Sequence, residues 1–474
     1  MTELHERSVF ELSDGLARCE FSARELVQAY LDRINAHDRR FNSFVTVDAE
    51  AALQAAGEVD ARRSRGEALG PLAGIPIGVK DSIPTAGIRT TSNSRLLEHW
   101  VPEADAAPIR RLRAAGAIVL GKTNLNEFGW ALPNDGDLTP KPMNAWNPAY
   151  AAIGSSSGSG IAVAAGFVPA AVGTDGGGSA RLPAGQHNLV GIKPTHGLLS
   201  RKGMDHSWIG EVSPLAQTVR DAALMLSIMA GREDRDWHTW PLSVPSYAEQ
   251  HEESVAGWRV GVPRRLIEQA GMEAEVEASF SAALEVLRGL GAELVDVDLP
   301  GLSEARMANF VVLNAQQHAA HAPTLRKHPE LYGRSARTYH WAGAFLSATD
   351  LLNALTIGAR VRDLVQDAFT DIRAIVTPTS PVVTAEAARK PEQHRKGSNA
   401  VFTSPFNLTG HPAISLPAGF SASTGLPIGV QLVAPLFAEA DLFTLGNAFE
   451  RATDWRRPIR HRIVPRQTPR NPLK

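Results

Sequence analysis

A long segment without charged side chains most strongly constrains the fold of this chain. No Asp, Glu, Lys or Arg occurs from Pro142 to Thr174. The segment contains the cluster GSSSGSG, which starts at Gly154, and it is followed directly by DGGGS, which ends at Ser179. Uncharged chain can be buried without ion pairs, and glycines let the backbone approach a ligand closely. We therefore predict that hydroxyl groups of this region line a buried site.

Strand-like and helix-like segments alternate along the chain, which predicts an α/β fold in one large domain. Ser22 and Glu25 form an S-x-x-E capping box that starts a helix. Short apolar runs predict strands at 44–47, 75–79, 118–120, 259–262, 293–297, 372–376 and 428–433. Apolar residues at helical spacing predict helices at 48–65, 108–115, 218–229, 273–290, 303–321 and 349–370.

The same patterns divide the domain into four parts. We predict a helical N-terminal region at 1–70, a core at 71–230, a peripheral region at about 257–400 and a return to the core at 401–460. The polar, proline-containing stretch 232–256 is a linker candidate.

Charge and cysteine content exclude several classes of protein. Lys and Arg total 48 against 50 Asp and Glu, so no bulk charge favours nucleic acid. The single cysteine, Cys19, excludes an intrachain disulfide framework and a thiolate zinc site. The N-terminus lacks a signal-peptide core, and no uninterrupted apolar run reaches about 18 residues. We expect a cytoplasmic protein that binds neither membrane nor nucleic acid, with a solvated basic tail after Arg456.

Two local motifs have simpler interpretations. GAIVLGKT at 116–123 fits the pattern of a nucleotide-binding P-loop, but its variable positions, Ala-Ile-Val-Leu, form a buried strand rather than a phosphate loop. His318 and His321 lie on one predicted helix, yet no third ligand follows at a recognisable spacing. We predict neither a phosphate site nor a metal site.

The cluster at 154–158 also fits G-x-S-x-G, with Ser156 as the nucleophile of an α/β-hydrolase elbow. That interpretation requires an acid and then a histidine downstream. The chain has 15 histidines, so this requirement discriminates poorly. A simple Gly/Ser turn is the other alternative, and the motif alone leaves both open.

Lys80, Ser155 and Ser179 form a self-consistent set. A serine hydroxyl needs a base before it can act as a nucleophile, and a lysine is a base only when burial keeps it neutral. The apolar run GIPIGV precedes Lys80 and supplies such surroundings. The glycine run 176–178 before Ser179 leaves backbone N–H groups free to bind a developing oxyanion.

Residues 154–195, with GTDGGGSARLPAG and GIKPT, resemble the amidase signature family. Further similar blocks are PLAGIPIGVKDSI, GAIVLGKTNLNEF, SPLAQTVRDAA, FNLTGHPAISLPAGF and GLPIGVQLVAP. The resemblance covers about residues 5–460. It implies a single large domain in which helices cover both faces of a mixed central β-sheet.

The resemblance also implies catalytic roles. The family's catalytic lysine falls on Lys80, its bridging serine on Ser155 and its nucleophile on Ser179. The bridging serine usually follows a cis peptide, so a cis Gly154–Ser155 bond is expected.

The same resemblance implies supporting roles for neighbouring residues. Gly176, Gly177 and Gly178 are expected to hold the oxyanion. Ser156 is expected to hydrogen-bond Lys80 or the bridging serine. Asp175 and Arg181 are expected to brace the glycine turn.

The implied activity is hydrolysis of linear, non-peptide amides through an acyl-enzyme, without cofactor or metal. The substrate is then a small-molecule amide, and the resemblance favours a homodimer. One alternative is the A-type component of an aminoacyl-tRNA amidotransferase, which releases ammonia from glutamine for a partner. Another is a carbamate, urea or ester hydrolase of the same family.

Two departures from the family pattern concern the substrate rather than the catalytic set. Ser157 replaces a glycine, and the usual small or apolar residues are replaced by Gln186, His187 and Asn188. We expect the pocket to be built from variable segments, namely 126–147, 186–188, 204–212 and the helices after 303.

Overall fold

The computed structural model describes residues 3–130, 138–204, 209–249, 254–383 and 399–456. The basic tail after Arg456 lies outside these ranges, as do parts of the expected pocket segments 126–147 and 204–212.

The described strands form one sheet of eleven, in the order β1-β3-β2-β4-β6-β5-β10-β11-β9-β7-β8. Their bounds are β1 Phe44–Val47, β2 Pro76–Lys80, β3 Ile118–Thr123, β4 Ala170–Asp175, β5 Val190–Lys193, β6 Glu211–Ala216, β7 Arg259–Val262, β8 Glu293–Asp296, β9 Ala374–Pro378, β10 Ala413–Phe420 and β11 Pro427–Val433. Strand β2 runs parallel to β3 and β4, whereas β4 runs antiparallel to β6. The sheet is therefore mixed, as expected.

Helices cover both faces of this sheet. They are α1 Val9–Ala17, α2 Ala23–His37, α3 Ala49–Ser64, α4 Ala107–Ala114, α5 Ser157–Ala164, α6 Arg181–His187, α7 Val219–Met229, α8 Arg264–Ala270, α9 Ala274–Gly289, α10 Leu302–Lys327, α11 Arg334–Ala342, α12 Ala348–Ala368, α13 Ser404–Thr409 and α14 Glu439–Arg451. No helix within the described ranges is both long enough and apolar enough to cross a bilayer.

All seven strands and all six helices predicted from the sequence are confirmed, with bounds that shift by a few residues. The capping box is also confirmed, because Glu25 N–H donates to Ser22 Oγ and Ser22 N–H donates to Glu25. Strands β4, β5, β6 and β10 are not among the predicted strands. The apolar residues 161–172 form the end of α5 and the start of β4.

Two apolar clusters stabilise the domain. The larger surrounds the strands and includes Ile77, Val172 and Ile414, all fully buried. The second packs α10, α12 and α13 together and includes Val365 and Phe406. Because α13 also contacts the end of β4 through hydrogen bonds, this second cluster places α10 beside the glycine-rich turn.

Candidate active site

Lys80 is the last residue of β2 and is fully buried. Its Nζ lies 2.7 Å from Ser155 Oγ, 3.1 Å from Ser156 Oγ and 2.6 Å from Thr174 Oγ1. The structure therefore joins the end of β2 to the serine cluster, 75 residues away in sequence, and to β4. Thr174 was not singled out from the sequence, although it lies just before the glycine run.

Burial lowers the pKa of Lys80 to about 7, although the negative charge of Asp175 acts in the opposite direction. No salt bridge to Lys80 occurs in the described part of the chain. A large share of the amine is consequently neutral near pH 7, and a neutral amine can accept a proton.

Gly154 turns the chain into the serine cluster with φ of +84°, a conformation that glycine adopts without steric penalty. All peptide bonds of the described residues are trans, so the expected cis Gly154–Ser155 bond is wrong. The positive φ of Gly154 supplies the change of direction with a trans bond. Ser155 still contacts Lys80, and it lines a cavity that the glycine-rich turn also borders.

Ser156 is fully buried and its side chain makes three hydrogen bonds. Its Oγ contacts Lys80 Nζ, donates to the Thr174 carbonyl at 3.0 Å and accepts from the Thr174 N–H at 3.0 Å. Ser156 therefore connects the lysine to β4, and it does not line the cavity as the nucleophile of a hydrolase elbow must. The hydroxyl of the neighbouring Ser157 is buried and has no hydrogen-bond partner among the described residues.

Ser179 follows the glycine run and is partly exposed to the same cavity as Ser155. Its carbonyl accepts the Ser156 N–H at 3.1 Å, which ties the turn to the serine cluster. The Ser179 hydroxyl makes no hydrogen bond with any described residue. It is thus accessible to a molecule in the cavity.

Asp175 and Arg181 form a buried ion pair that holds this turn. Arg181 donates to both carboxylate oxygens of Asp175 at 2.9 Å, and Asn407 Nδ2 donates to the same carboxylate at 2.9 Å. Burial by itself raises the pKa of Asp175, but the charge and hydrogen bonds of Arg181 outweigh it and hold that pKa well below its usual range. The carboxylate stays ionised, and it also accepts backbone N–H groups of the turn.

One of those donors is the Gly178 N–H, at 2.7 Å from Asp175 Oδ1. The prediction that all three glycines supply oxyanion donors is therefore wrong for Gly178, because its N–H is already used to shape the turn. The N–H groups of Gly176, Gly177 and Ser179 have no partner among the described residues. These three remain available to an oxyanion.

Two residues from distant helices orient the peptide planes of the turn. Asn309 Nδ2, on α10, donates to the Gly176 carbonyl at 3.2 Å. Thr403 Oγ1, just before α13, donates to the Gly177 carbonyl at 2.7 Å. A carbonyl fixes its whole peptide plane, so these bonds also set the directions of the following N–H groups. The sequence contained no local signal for either residue.

The cavity has a volume of about 550 Å³ and is lined on one side by Ser155, Thr174, Gly176, Gly177 and Ser179. The rest of its wall is mostly apolar and aromatic, with Phe128, Trp130, Leu182, Met204, Met307, Phe310, Leu313 and Tyr339. The same wall also contains the charged residues Arg201, Glu211 and Arg306. The ring centroid of Trp130 lies 5.5 Å from that of Phe310 and 6.2 Å from that of Tyr339. Hydroxyls and free N–H groups thus face a wall that is mostly apolar and aromatic but also carries charged side chains.

Three of the four segments expected to build the pocket contribute to it, through Phe128, Met204 and α10 among others. The expectation for 186–188 is wrong, because none of these residues lines this cavity. Gln186 accepts the Ile153 N–H at 2.9 Å, and Asn188 donates to the Trp455 carbonyl at 2.9 Å. They are buried structural residues behind the serine cluster.

The P-loop-like segment 116–123 and the pair of His318 and His321 have structural roles. Lys122 is buried in β3 and contacts the Ile83 carbonyl and Thr85 Oγ1. His318 contacts the His340 carbonyl, and His321 stacks on His340 with ring centroids 4.3 Å apart. Within the described ranges no group of three or more His, Cys, Asp or Glu side chains suits a metal ion.

Comparison with known proteins finds similarity over almost the whole length of this chain. The amidase family profile matches residues 25–443. The A component of the glutamyl-tRNA(Gln) amidotransferase from Chloroflexus aggregans is 38% identical, over 97% of this chain and 99% of the relative. One similar solved structure is of a vestigial protein complex that reveals the evolutionary origins of an s-triazine catabolic enzyme. Its chain superposes with a TM-score of 0.88 at 29% sequence identity, and the match covers 94% of this chain and 98% of that chain. A bacterial aryl acylamidase of the amidase signature family superposes with a TM-score of 0.87 at 25% sequence identity, over 96% of this chain and 98% of that chain.

Proposed function

Because this chain belongs to the amidase signature family, we propose that it hydrolyses the carbon–nitrogen bond of amides through an acyl-enzyme on Ser179. One observation carries the proposal. The Nζ of a lysine with a pKa of about 7 contacts Ser155 in the wall of the cavity that also holds the free Ser179 hydroxyl.

In the acylation step, Ser179 Oγ attacks the carbonyl carbon. The Ser179 proton passes to Ser155 Oγ while the Ser155 proton passes to neutral Lys80, which becomes an ammonium. No hydrogen bond joins the two serine hydroxyls in the described structure. Catalytic hydrogen bonds commonly tighten only when substrate is bound.

The tetrahedral intermediate carries a negative oxygen. The unpartnered N–H groups of Gly176, Gly177 and Ser179 are the proposed donors to this oxyanion. Each such donor contributes about 3 kcal/mol to transition-state stabilisation. The ionised Asp175 and Asn309 hold the turn so that the donors need no rearrangement during the reaction.

Collapse of the intermediate breaks the carbon–nitrogen bond. Ser155 gives its proton to the leaving nitrogen and recovers one from the Lys80 ammonium, so the amine leaves neutral. Water then attacks the acyl-Ser179 ester by the same proton route. The products are a carboxylic acid and an amine, and all three side chains return to their initial protonation states.

Two kinds of amide fit this chemistry. The aromatic wall of Trp130, Phe310 and Tyr339 favours a linear amide with an apolar substituent. The full-length similarity to the A component of amidotransferases favours the second candidate, in which glutamine is the amide and ammonia is passed to a partner protein. A carbamate, urea or ester can form the same acyl-serine.

The decisive test combines labelling with a substrate panel. A fluorophosphonate should modify Ser179, and mass spectrometry should locate the adduct there. Initial rates on anilides, aliphatic amides, esters and glutamine, measured alone and with tRNA and partner proteins, separate the candidates. Partner-dependent glutaminase activity would establish the second. Full hydrolysis by Ser179→Ala would overturn the mechanism.

The proposed mechanism uses only this chain and water, so it requires neither metal nor cofactor. A cytoplasmic location and a homodimer stay predictions from the sequence.

A further inference from the structure

The first turns of α10 lie at the opening of the cavity. Met307 and Phe310 both line the cavity, yet they are 52% and 43% exposed. Arg306 belongs to the same part of the helix and also lines the cavity, where it is half-buried. Asn309, which contacts the Gly176 carbonyl, follows three residues later, about 4.5 Å along the helix axis. Arg306 is therefore close both to the opening and to the glycine-rich turn.

The guanidinium of Arg306 is open to the cavity. It makes no hydrogen bond or ion pair with any described residue, and its nitrogens keep accessible surface. The residues three and four positions away on the helix, Leu302, Ser303, Asn309 and Phe310, include no acid that could pair with it. Because an arginine stays protonated, a full positive charge is available to a molecule in the cavity.

The other charged side chains of the cavity wall are engaged within the protein. Arg201 is 8% exposed, and its Nη1 donates to the Gly210 carbonyl at 2.9 Å. Glu211 is 1% exposed, and its Oε1 lies 2.9 Å from His196 Nδ1. Of the three charged residues described in this wall, Arg306 is thus the one that a bound molecule can pair with.

We propose that Arg306 is a specificity-determining residue that pairs with a carboxylate or similar oxyanion of the amide substrate at the opening of the cavity. The inference rests on the proposed function, because it assigns a charged group to the substrate of that site. The amide reaches Ser179 while the anion stays at the opening, where it remains partly hydrated and gains a cationic partner. Acidic amides are therefore preferred over neutral amides, and amides with an ammonium group at this point are disfavoured.

The test uses the rate at which Ser179 is labelled, since this needs no known substrate. Three series of alkyl fluorophosphonates of graded length are compared, ending in a methyl, a carboxylate or an ammonium group. At the best-fitting length, wild type should react about 10-fold faster with the carboxylate probe than with the methyl probe, the effect of one hydrogen bond to a charged group. The ammonium probe should react more slowly than the methyl probe, because like charges repel. Added salt should reduce the carboxylate preference, since the pair is close to solvent.

Three variants complete the design. Arg306→Met removes the charge from a side chain of similar shape and should abolish the carboxylate preference. Arg306→Lys keeps a positive charge and should retain part of the preference. Arg337→Met is the matched control, because Arg337 is half-buried on α11, which packs against α10, but does not line the cavity. This control should keep the wild-type preference, and thermal denaturation identifies any variant that does not fold.

The outcomes separate the two hypotheses. Equal rates for the methyl and carboxylate probes in wild type, or a carboxylate preference that persists in Arg306→Met, would overturn the role of Arg306. An equal loss of preference in Arg337→Met would also overturn it, because the effect would then come from the general charge of this region. Failure of every probe to label Ser179 would instead contradict the proposed function.

Discussion

Two buried lysines on neighbouring parallel strands show what distinguishes the proposed base from a structural residue. Lys80 ends β2, and Lys122 lies opposite Val79 in β3. Both are fully buried, and burial lowers the pKa of each, to about 7 in the case of Lys80. Burial therefore shifts the protonation of both lysines in the same direction.

Their surroundings differ. Lys80 contacts three hydroxyls, one of which belongs to Ser155 in the cavity wall, whereas Lys122 contacts the Ile83 carbonyl and Thr85 and is attracted by Asp81. Lys122 does not line the cavity. Burial thus favours the neutral form of both lysines, but of the two only Lys80 contacts a serine hydroxyl in the cavity wall, which is the basis of its proposed role.

The largest expected effect separates the two lysines directly. Lys80→Met should reduce kcat/KM by about 10⁴-fold or more, since residues of one proton-transfer unit are individually essential. Lys80→Arg should not restore activity, because arginine stays protonated. Lys122→Met should cost less than about 10-fold, because Lys122 is outside the proton route of this serine mechanism. Equal losses, measured on the same amide, would contradict the distinction.

The hydroxyl groups beside each lysine provide the next comparison. Ser155→Ala should lower kcat by about 10³-fold, within the range of general acid–base catalysis. Thr85→Val removes the corresponding hydroxyl beside Lys122 and should leave kcat close to wild type. Steady-state kinetics measure both, and fluorophosphonate labelling tests whether Ser179 is still accessible. A large kcat loss in Thr85→Val would show that Lys122 contributes to catalysis.

The pH dependence of stability tests the burial of Lys80. Its pKa is about 7 in the folded protein and 10.5 in the reference state, so the unfolded chain binds more protons between these values. Wild-type stability should therefore rise across this window relative to Lys80→Met, by an amount on the order of a few kcal/mol. Urea denaturation at several pH values measures the gap. Lys122→Met retains Lys80 and should keep this contribution.

The smallest expected effect concerns the pH profile of the reaction. Protonation of Lys80 removes the base, so kcat/KM should fall about tenfold for each pH unit below about 7. The Lys122→Met profile should have the same acidic limb. A limb that moves in this variant would assign the titration to Lys122 instead.

Much of the site was predictable because its parts have local signals. Lys80 follows the apolar run GIPIGV, and Ser179 follows three glycines, so each position was recognisable without the fold. Asn309, Thr403 and Asn407 were not predictable, because isolated polar residues on distant segments resemble ordinary surface residues. The hydrogen bond that occupies the Gly178 N–H was equally unpredictable, because only the folded turn brings this N–H to the Asp175 carboxylate.

The fold shows a similar limit. Strands β6 and β10 each contain a proline, Pro214 and Pro417, which argues against a strand inside a sheet. Their partners on both sides nevertheless hold them within it. Pairing across the sheet therefore overrides a local preference.

The partners of the buried Asp175–Arg181 pair determine how early in synthesis this turn can take its final form. Arg181 donates to the Thr403 carbonyl, to Asn407 and to Gln431, which are 222, 226 and 250 residues away. Contacts of such separation form late, after most of the polypeptide has left the ribosome. A nascent chain therefore carries Lys80, Ser155 and Ser179 well before the turn that holds the proposed nucleophile is braced. The proposed acylation of Ser179 should consequently become possible only near the end of translation.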